Sequence, residues 1–142
     1  MALGNMGKFS SMAIPEIIKL SKDESFGVRW NAVSVLGDMG QFSTSAIQGL
    51  TLFLGDEDSS VRNNAAVALA HLGESAKFTI PSLILLLKDQ NQHTRSSAAF
   101  ALGRMGESAK VAIPNLIPLL KDQDKWVRSA ATEALKKLGY KP

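Results

Sequence analysis

Four arginines, Arg29, Arg62, Arg95 and Arg128, stand 33 residues apart in a chain of 142 residues. Each one follows an aspartate by six residues and precedes an alanine, a leucine and a glycine at fixed distances. A fixed period of this length is typical of one supersecondary unit stacked on copies of itself. We therefore expect function to come from the surface of the stack rather than from a pocket in a single globular core.

The repeats align without a gap as four units, residues 8–40, 41–73, 74–106 and 107–139. We expect residues 1–142 to form a single domain, with residues 140–142 as a tail. Leu3–Gly7 fits the pattern of Leu36–Gly40 in register, so residues 1–7 are predicted to be the partial helix that remains of a preceding unit. The chain is therefore expected to be the C-terminal piece of a longer repeat protein.

Each unit is predicted to form two antiparallel helices, here called A and B. Helix A begins near residue 12 or 13 and its equivalents, and a proline falls in its first turn, where a missing N–H group costs nothing. Helix B follows an N-cap residue, which is Ser25, Asp58, Asn91 or Asp124. It ends at a glycine expected in the left-handed conformation, which is Gly40, Gly73, Gly106 or Gly139. No stretch alternates with period two, so no strands are expected.

A wheel drawn at about 100° per residue separates the faces of helix B. The apolar side chains of Val28, Ala32, Val35, Leu36 and Met39 cluster on the face expected to pack against helix A. The positions beside it hold small residues in units two and three, which allow a neighbouring helix to come close. Unit four has Thr132 and Lys136 at these positions, so we expect the array to end there.

The composition excludes several classes of protein. The chain has no cysteine, which removes disulfides and thiolate metal sites and suits a reducing, cytoplasmic location. No apolar stretch reaches the roughly 18–20 residues that span a bilayer, so no membrane association is expected. A net charge of +3 without a basic block argues against nucleic acid as a partner.

The motifs Asp-x-x-x-x-Val-Arg-x-x-Ala in helix B and Ile-Pro-x-Leu-Ile-x-Leu-Leu-Lys-Asp in helix A are most complete in unit four. With the 33-residue period, they resemble the HEAT-like repeats named after phycobilisome lyases, and the resemblance covers Leu3–Gly139. It implies an all-α solenoid with helices A on the convex side and helices B on the concave side. Some relatives assist bilin attachment to phycobiliproteins, some are regulatory subunits, and many are scaffolds.

One set of repeated charges is interpreted as structural. An active site does not need four copies, so the aspartates and arginines are expected to form a ladder of hydrogen bonds along the stack. Its members are Asp23, Arg29, Asp56, Arg62, Asp89, Arg95, Asp122 and Arg128. His71 and His93 are expected to lie apart. We therefore expect no catalytic residue, no metal site and no cofactor.

The outward face of helix B is the candidate binding surface. It carries both tryptophans of the chain and Phe100, and large exposed aromatic side chains anchor protein interfaces. Asn63, Asn64, Ser96, Ser97 and Arg104 are expected to supply hydrogen bonds to a partner. The predicted partner-binding set is Phe26, Trp30, Ser34, Asn63, Asn64, Val67, His93, Ser96, Phe100, Arg104, Trp126, Ser129 and Glu133.

These features predict a non-enzymatic scaffold that binds a protein partner through the concave helix-B face. An accessory or catalytic unit of a bilin lyase is one alternative, and a nucleic-acid-binding solenoid is a second. Self-association is a further possibility, because Met6, Phe9 and Met12 would be exposed on the truncated N-terminal flank.

Overall fold

Every regular element is a helix in the computed structural model, which describes residues 13–141. The α-helices are α1 (residues 13–19), α2 (Phe26–Met39), α3 (Thr44–Phe53), α4 (Ser59–Leu72), α5 (Ile80–Leu86), α6 (Gln92–Gly103), α7 (Ile113–Leu116) and α8 (Lys125–Lys137). Short 3-10 helices lie at Leu20–Lys22, Gly73–Thr79, Gly106–Ala112 and Ile117–Lys121. Helices α1, α3, α5 and α7 are helices A, and the other four are helices B. The predicted all-α fold is confirmed.

The B helices form a continuous layer in which α2 packs on α4, α4 on α6 and α6 on α8. Helix A of the second unit, α3, packs against both α2 and α4. Between the layers lies one connected apolar core, so each unit completes its interior with its neighbours. The fold is the predicted α-solenoid. Fully buried side chains occur in every unit, among them Leu36, Phe53, Leu69, Leu83, Leu102 and Leu116.

The B helices begin at the four predicted N-cap residues. The Asp124 carboxylate accepts hydrogen bonds from the amides of Trp126 and Val127 at 2.9 and 3.1 Å. The Asn91 side chain accepts from His93 and Thr94 in the same way, and Ser25 and Asp58 each accept one amide. Each cap satisfies amide groups that have no partner inside the helix.

The helix-B C-termini correct one prediction. Gly73, Gly106 and Gly139 have positive φ angles of 56°, 71° and 86°, as expected. Gly40 does not, because its φ of −58° is right-handed. A Cβ atom at Gly40 would lie 2.6 Å from Leu72 Cδ1. Backbone conformation therefore does not require a glycine here, and the close contact is with the end of a flexible side chain.

Helix A of unit four also departs from the expected continuous helix. Its α-helical part is only Ile113–Leu116, and a 3-10 helix continues it to Lys121. Pro118 lies in the first turn of that 3-10 helix. Since proline has no N–H to donate to the preceding turn, it ends the α-helical bonding there.

Small residues bring neighbouring B helices together, as predicted. A Cβ built on Gly37 would lie 3.1 Å from Ala68 Cβ, and one on Gly103 would lie 2.9 Å from Ala134 Cα. The Ala68 and Ala134 positions are equivalent to Val35, which is 41% exposed. The prediction that Val35 packs on helix A was therefore wrong, since its equivalents lie against the preceding helix B.

Some predictions fall outside the described residues. They are the helical remnant at 1–7, the exposed flank at Met6, Phe9 and Met12, and the last residue of the tail. Within residues 13–141, no helix combines the length and the apolar character needed to cross a membrane.

Candidate functional site

Arginine–aspartate pairs join consecutive units along the stack. Arg62 donates from Nε to Asp89 Oδ2 at 2.8 Å and from Nη2 to Asp89 Oδ1 at 3.0 Å. Its Nη1 donates to the carbonyl oxygens of Asp56 and Glu57 at 2.8 and 3.2 Å. One guanidinium thus holds the loop of its own unit and a carboxylate of the next, a two-pronged geometry that arginine provides and lysine cannot.

The same arrangement repeats in other units. Arg29 pairs with Asp56 and Arg95 pairs with Asp122, with Nε–Oδ2 distances of 2.8 and 2.9 Å. Each aspartate also accepts the amide of the residue two positions later, so Asp89 Oδ1 accepts from Asn91 at 2.9 Å. The pairs therefore fix the loops before α4, α6 and α8 relative to the preceding unit. They thereby hold neighbouring B helices in a fixed position relative to one another.

The two ends of this ladder differ from its middle. Arg128 donates to the carbonyl oxygens of Asp122 and Gln123 at 2.7 and 3.1 Å, and among the described residues it meets no carboxylate. The Asp23 carboxylate accepts the amide of Ser25 at 2.9 Å, and no arginine of the described residues reaches it. Arg128 therefore provides an internal comparison for the paired arginines.

The arginine–aspartate pairs shift the pKa values of two of their members, Asp122 and Arg29. Burial of Asp122 opposes its ionisation, but hydrogen bonds from Arg95 and from the Asp124 amide, with the nearby arginine charges, outweigh burial and lower the pKa of Asp122. The hydrogen bond to Asp56, opposed by burial and aided by nearby acidic charges, raises the pKa of Arg29. Both shifts favour the charged forms that bind each other.

We expect Asp122 to make the fold sensitive to acid. Because its folded pKa is lowered, its contribution to stability is complete above the ordinary carboxyl pKa of about 3.9 and is lost as the pH falls through the folded value. The variant Asp122→Asn should be less stable than the parent at pH 7, and the difference in urea midpoint should shrink towards pH 2. The exposed-site variant Glu107→Gln serves as control. A difference that stays constant down to pH 2 would contradict the assignment.

The predicted partner-binding residues lie on the outer surface of the B helices. Phe26, Trp30, Phe100 and Trp126 are between 41% and 64% exposed, and no member of the predicted set is fully buried. We call this surface the helix-B face. Trp30 and Phe26 lie on α2, at one end of the described stack, whereas Phe100 on α6 and Trp126 on α8 lie near the other end.

Several polar residues of this face already bond to neighbouring helices. Asn64 Nδ2 donates to Trp30 O and to Ser34 Oγ, both at 3.1 Å. Ser97 Oγ donates to Asn63 Oδ1, and Arg104 Nε donates to Ala70 O at 2.8 Å. The expectation that these atoms serve a partner needs correction, because they tie one B helix to the next. Ser96 and Ser129 make no side-chain hydrogen bond among the described residues.

A groove runs between α6 and α8 on the helix-B face, with a volume of about 470 Å³. Phe100 and Trp126 form its apolar walls, and Ser96 and Ser129 supply hydroxyl groups. The lining also includes three small residues, Gly103, Ala130 and Ala134, and two charged residues, Glu133 and Lys137. Gly103 lets the two helices that carry these walls approach closely, since a Cβ there would lie 2.9 Å from Ala134 Cα.

Two cations cover the aromatic rings beside this groove. The guanidinium carbon of Arg104 lies 5.7 Å from the centre of the Phe100 ring. Lys125 Nζ lies 5.2 Å from the centre of the Trp126 ring. Both distances suit cation–π contacts. Lys125 was absent from the predicted partner-binding set, although it directly precedes Trp126 in the sequence.

An apolar surface on the other side of the stack was not predicted from the sequence. Leu85 on α5 is 76% exposed, more than any aromatic residue of the helix-B face. Leu52 at the equivalent position is also exposed, and so are Phe78 and Val111 in the segments that precede helix A. Repetition in adjacent units was the available signal. Exposed apolar side chains therefore occur on both surfaces, and Leu85 can serve as a control position.

The two histidines do not form a site. His71 Nδ1 lies 2.9 Å from Val67 O, its own helical neighbour, and His93 is exposed near the start of α6. Within the described part of the chain, no three His, Cys, Asp or Glu side chains are grouped to hold a metal ion.

Helical hairpins stacked around one continuous core, with side chains repeating every 33 residues, define an α-solenoid repeat protein. The family model of HEAT repeats matches residues 1–70 and 80–142, and the chain belongs to this family. The resemblance to HEAT-like repeats is thereby confirmed. Among proteins of curated function, none matches the chain significantly.

Several solved structures are similar. The complex of CpcE and CpcF of phycocyanin lyase from Nostoc sp. PCC7120 is 29% identical with a TM-score of 0.72, over 94% of this chain and 56% of that one. Human deoxyhypusine hydroxylase in complex with glycerol is 23% identical with a TM-score of 0.73, over 88% and 43%. A designed armadillo repeat protein in complex with the peptide (KR)4 is 20% identical with a TM-score of 0.75, over 92% and 66%. This chain spans less than two thirds of each of these chains.

Proposed function

We propose that this chain is a non-enzymatic protein-binding scaffold and that the helix-B face is its binding surface. The observation that carries the proposal is the set of large apolar side chains exposed on that face, above all Phe100 and Trp126 beside one groove. Such side chains bury much area with few rotatable bonds, which makes them common anchors of interfaces. A cytoplasmic location is part of the proposal.

The arginine–aspartate ladder supports this function indirectly. Because each pair fixes one unit against the next, the anchors on α6 and α8 are held in place before any partner arrives. A preorganised surface loses little conformational entropy on binding. The similarity to the CpcE–CpcF complex, in which two chains associate, also agrees with a protein partner.

The double variant Phe100→Ala/Trp126→Ala tests the proposal. If both side chains are anchors, we expect binding to weaken by about 2 kcal/mol or more, roughly 30-fold, with unchanged helix content. Partners retained by the immobilised parent chain would be quantified by mass spectrometry and compared with those retained by the variant.

The matched control is Leu52→Ala/Leu85→Ala, which removes two exposed apolar side chains from the opposite surface. This control should retain the same partners as the parent. If the groove variant keeps its partners and the control variant loses them, the binding surface lies on the helix-A side and the proposal is wrong.

A role in bilin attachment is a second candidate, favoured by the 29% identity to a phycocyanin lyase complex over 94% of this chain. This role requires contact with a tetrapyrrole. A bilin mixed with the protein should then show a shifted visible absorption band, and the shift should be smaller in Trp126→Ala. An unchanged spectrum at excess protein would exclude the role for this chain.

Nucleic-acid binding is less favoured by the charges on the face. Arg104, Lys125 and Lys137 share it with Asp38 and Glu133, which interrupt any continuous path for phosphates. Retention on DNA that falls steeply with salt concentration would revive this alternative.

A further inference from the structure

The charges around the α6–α8 groove are unevenly distributed. Lys137 and Glu133 line it, Lys125 lies over Trp126, and Arg104 lies over Phe100 while its Nε donates to Ala70 O of α4. These three cations outnumber two carboxylates, those of Glu133 and of Asp124, which caps α8 beside Trp126. At the far end of the helix-B face, the equivalent of Arg104 and Lys137 is Asp38 on α2. The groove therefore lies at the positive end of this face, and it attracts negatively charged groups.

The aromatic walls of the groove also favour a negatively charged partner over a basic one. A basic partner side chain would gain most by stacking on Phe100 or Trp126, but Arg104 and Lys125 of this chain already lie over those rings. A second cation at either ring would meet like charge, and this repulsion opposes basic ligands. The ring surface that remains exposed is available to apolar side chains.

Arg104 is held in position to receive an acidic group. Its Nε donates to Ala70 O at 2.8 Å and its guanidinium lies on Phe100, so two contacts fix its orientation. Neither Nη atom makes a hydrogen bond to the described residues. A guanidinium fixed in this way binds a carboxylate with little further loss of side-chain freedom.

From these contacts we infer that the groove binds an extended acidic segment of a protein, in which a large apolar side chain sits between Phe100 and Trp126. Carboxylates on either side of that side chain pair with Arg104 and Lys137. The inference rests on the proposed function and adds the chemical class of the partner. Glu133 limits how many acidic groups can be accommodated on the α8 side.

An acidic peptide is favoured over single-stranded nucleic acid by the extent of the positive region. Bases could stack on the aromatic walls, but a bound strand also needs a path for its phosphates. The cations are confined to α6 and α8, whereas the equivalent positions on α2 and α4 hold Phe26, Asp38, Ser59 and His71. One or two carboxylates match this short region.

Fluorescence anisotropy at low salt tests the inference with the full chain and four probes. The first is a short labelled peptide with one phenylalanine flanked by aspartates. The second has lysine for aspartate, the third has alanine for phenylalanine, and the fourth is an oligothymidylate of matching length. We expect the first peptide to bind at least about 10-fold more tightly than each of the other three.

Three variants connect the preference to the groove. The double variant Arg104→Gln/Lys137→Gln should weaken binding of the first peptide by about 10-fold or more. Glu133→Gln should strengthen its binding several-fold, because this change removes a repulsive charge. Leu85→Ala, on the opposite surface, should change nothing. Added salt should weaken binding in the parent more than in the Gln double variant.

Several outcomes would overturn the inference: equal or stronger binding of the lysine peptide, stronger binding of the oligothymidylate, binding of no probe, or weaker binding in Glu133→Gln. These results are separable from a failure of the proposed function. If partners are lost from Phe100→Ala/Trp126→Ala while the peptides show no charge preference, the scaffold function stands and only the acidic specificity falls.

Discussion

Replacing Arg62 by methionine should destabilise the fold by about 3 kcal/mol, because it leaves the carboxylate of Asp89 without its ion-pair partner. The side chains of the pair are 16% and 9% exposed, and both guanidinium–carboxylate bonds are 3.0 Å or shorter. Removing one member of such a pair is costly, since the remaining charge stays largely shielded from water. The loss would be measured as the free energy of unfolding in urea, followed by circular dichroism.

Arg128 supplies the matched control. It occupies the same place in its repeat and donates to the same two backbone carbonyls, but it is exposed and has no carboxylate partner among the described residues. Arg128→Met should therefore cost about 1 kcal/mol or less. The difference between the variants isolates the contribution of the inter-unit pair. Equal losses would mean that the carbonyl contacts, not the ion pairs, give these arginines their role.

Most of the fold could be predicted because the repeat constrains it four times. A single N-cap residue is weak information, but four at the same register fixed the start of every helix B. Repetition also hid a difference. Gly40 shares its register with Gly73, yet its backbone is right-handed and its Cβ position lies against the end of the Leu72 side chain. A glycine in the sequence does not tell whether its backbone is left-handed.

The interruption of helix A in unit four could have been predicted from its second proline, Pro118. Pro118 lies four residues after Pro114, and a second proline inside a helix removes a donor from the hydrogen-bond ladder. The error at Val35 has another origin. A wheel drawn for one helix gives the direction of a side chain but not the neighbour it meets, and here that neighbour is the adjacent helix B.

The candidate site was predictable as a surface but not as a set of contacts. Helical periodicity placed Trp30, Phe100 and Trp126 on one exposed face, since direction follows from sequence spacing. Whether Asn64 or Arg104 is free for a partner depends on the distance between neighbouring B helices, which the sequence of one unit does not contain. The cation–π contacts that place Arg104 and Lys125 beside the groove also depend on side-chain conformations, which the sequence of one unit does not contain.

Replacing Gly103 by valine should cost about 3 kcal/mol, at the upper end of what overpacking usually costs, because the new side chain has no space. Its Cβ would lie 2.9 Å from Ala134 Cα and 3.0 Å from Ala134 Cβ, so the backbone of α8 would have to move away from α6. A flexible side chain could yield at lower cost, but a helix backbone cannot. The free energy of unfolding in urea would show the loss.

The same variant connects the packing of the B helices to binding. Since Phe100 lies on α6 and Trp126 on α8, moving α8 separates the two walls of the groove, and binding should weaken although both side chains remain. Gly27→Ala is the control: its new Cβ would lie 3.6 Å from Ser25 Oγ, an ordinary contact, and it should add up to about 0.5 kcal/mol of stability. If Gly103→Val were as stable as the parent and bound equally well, the close approach of α6 and α8 would have no part in forming the site.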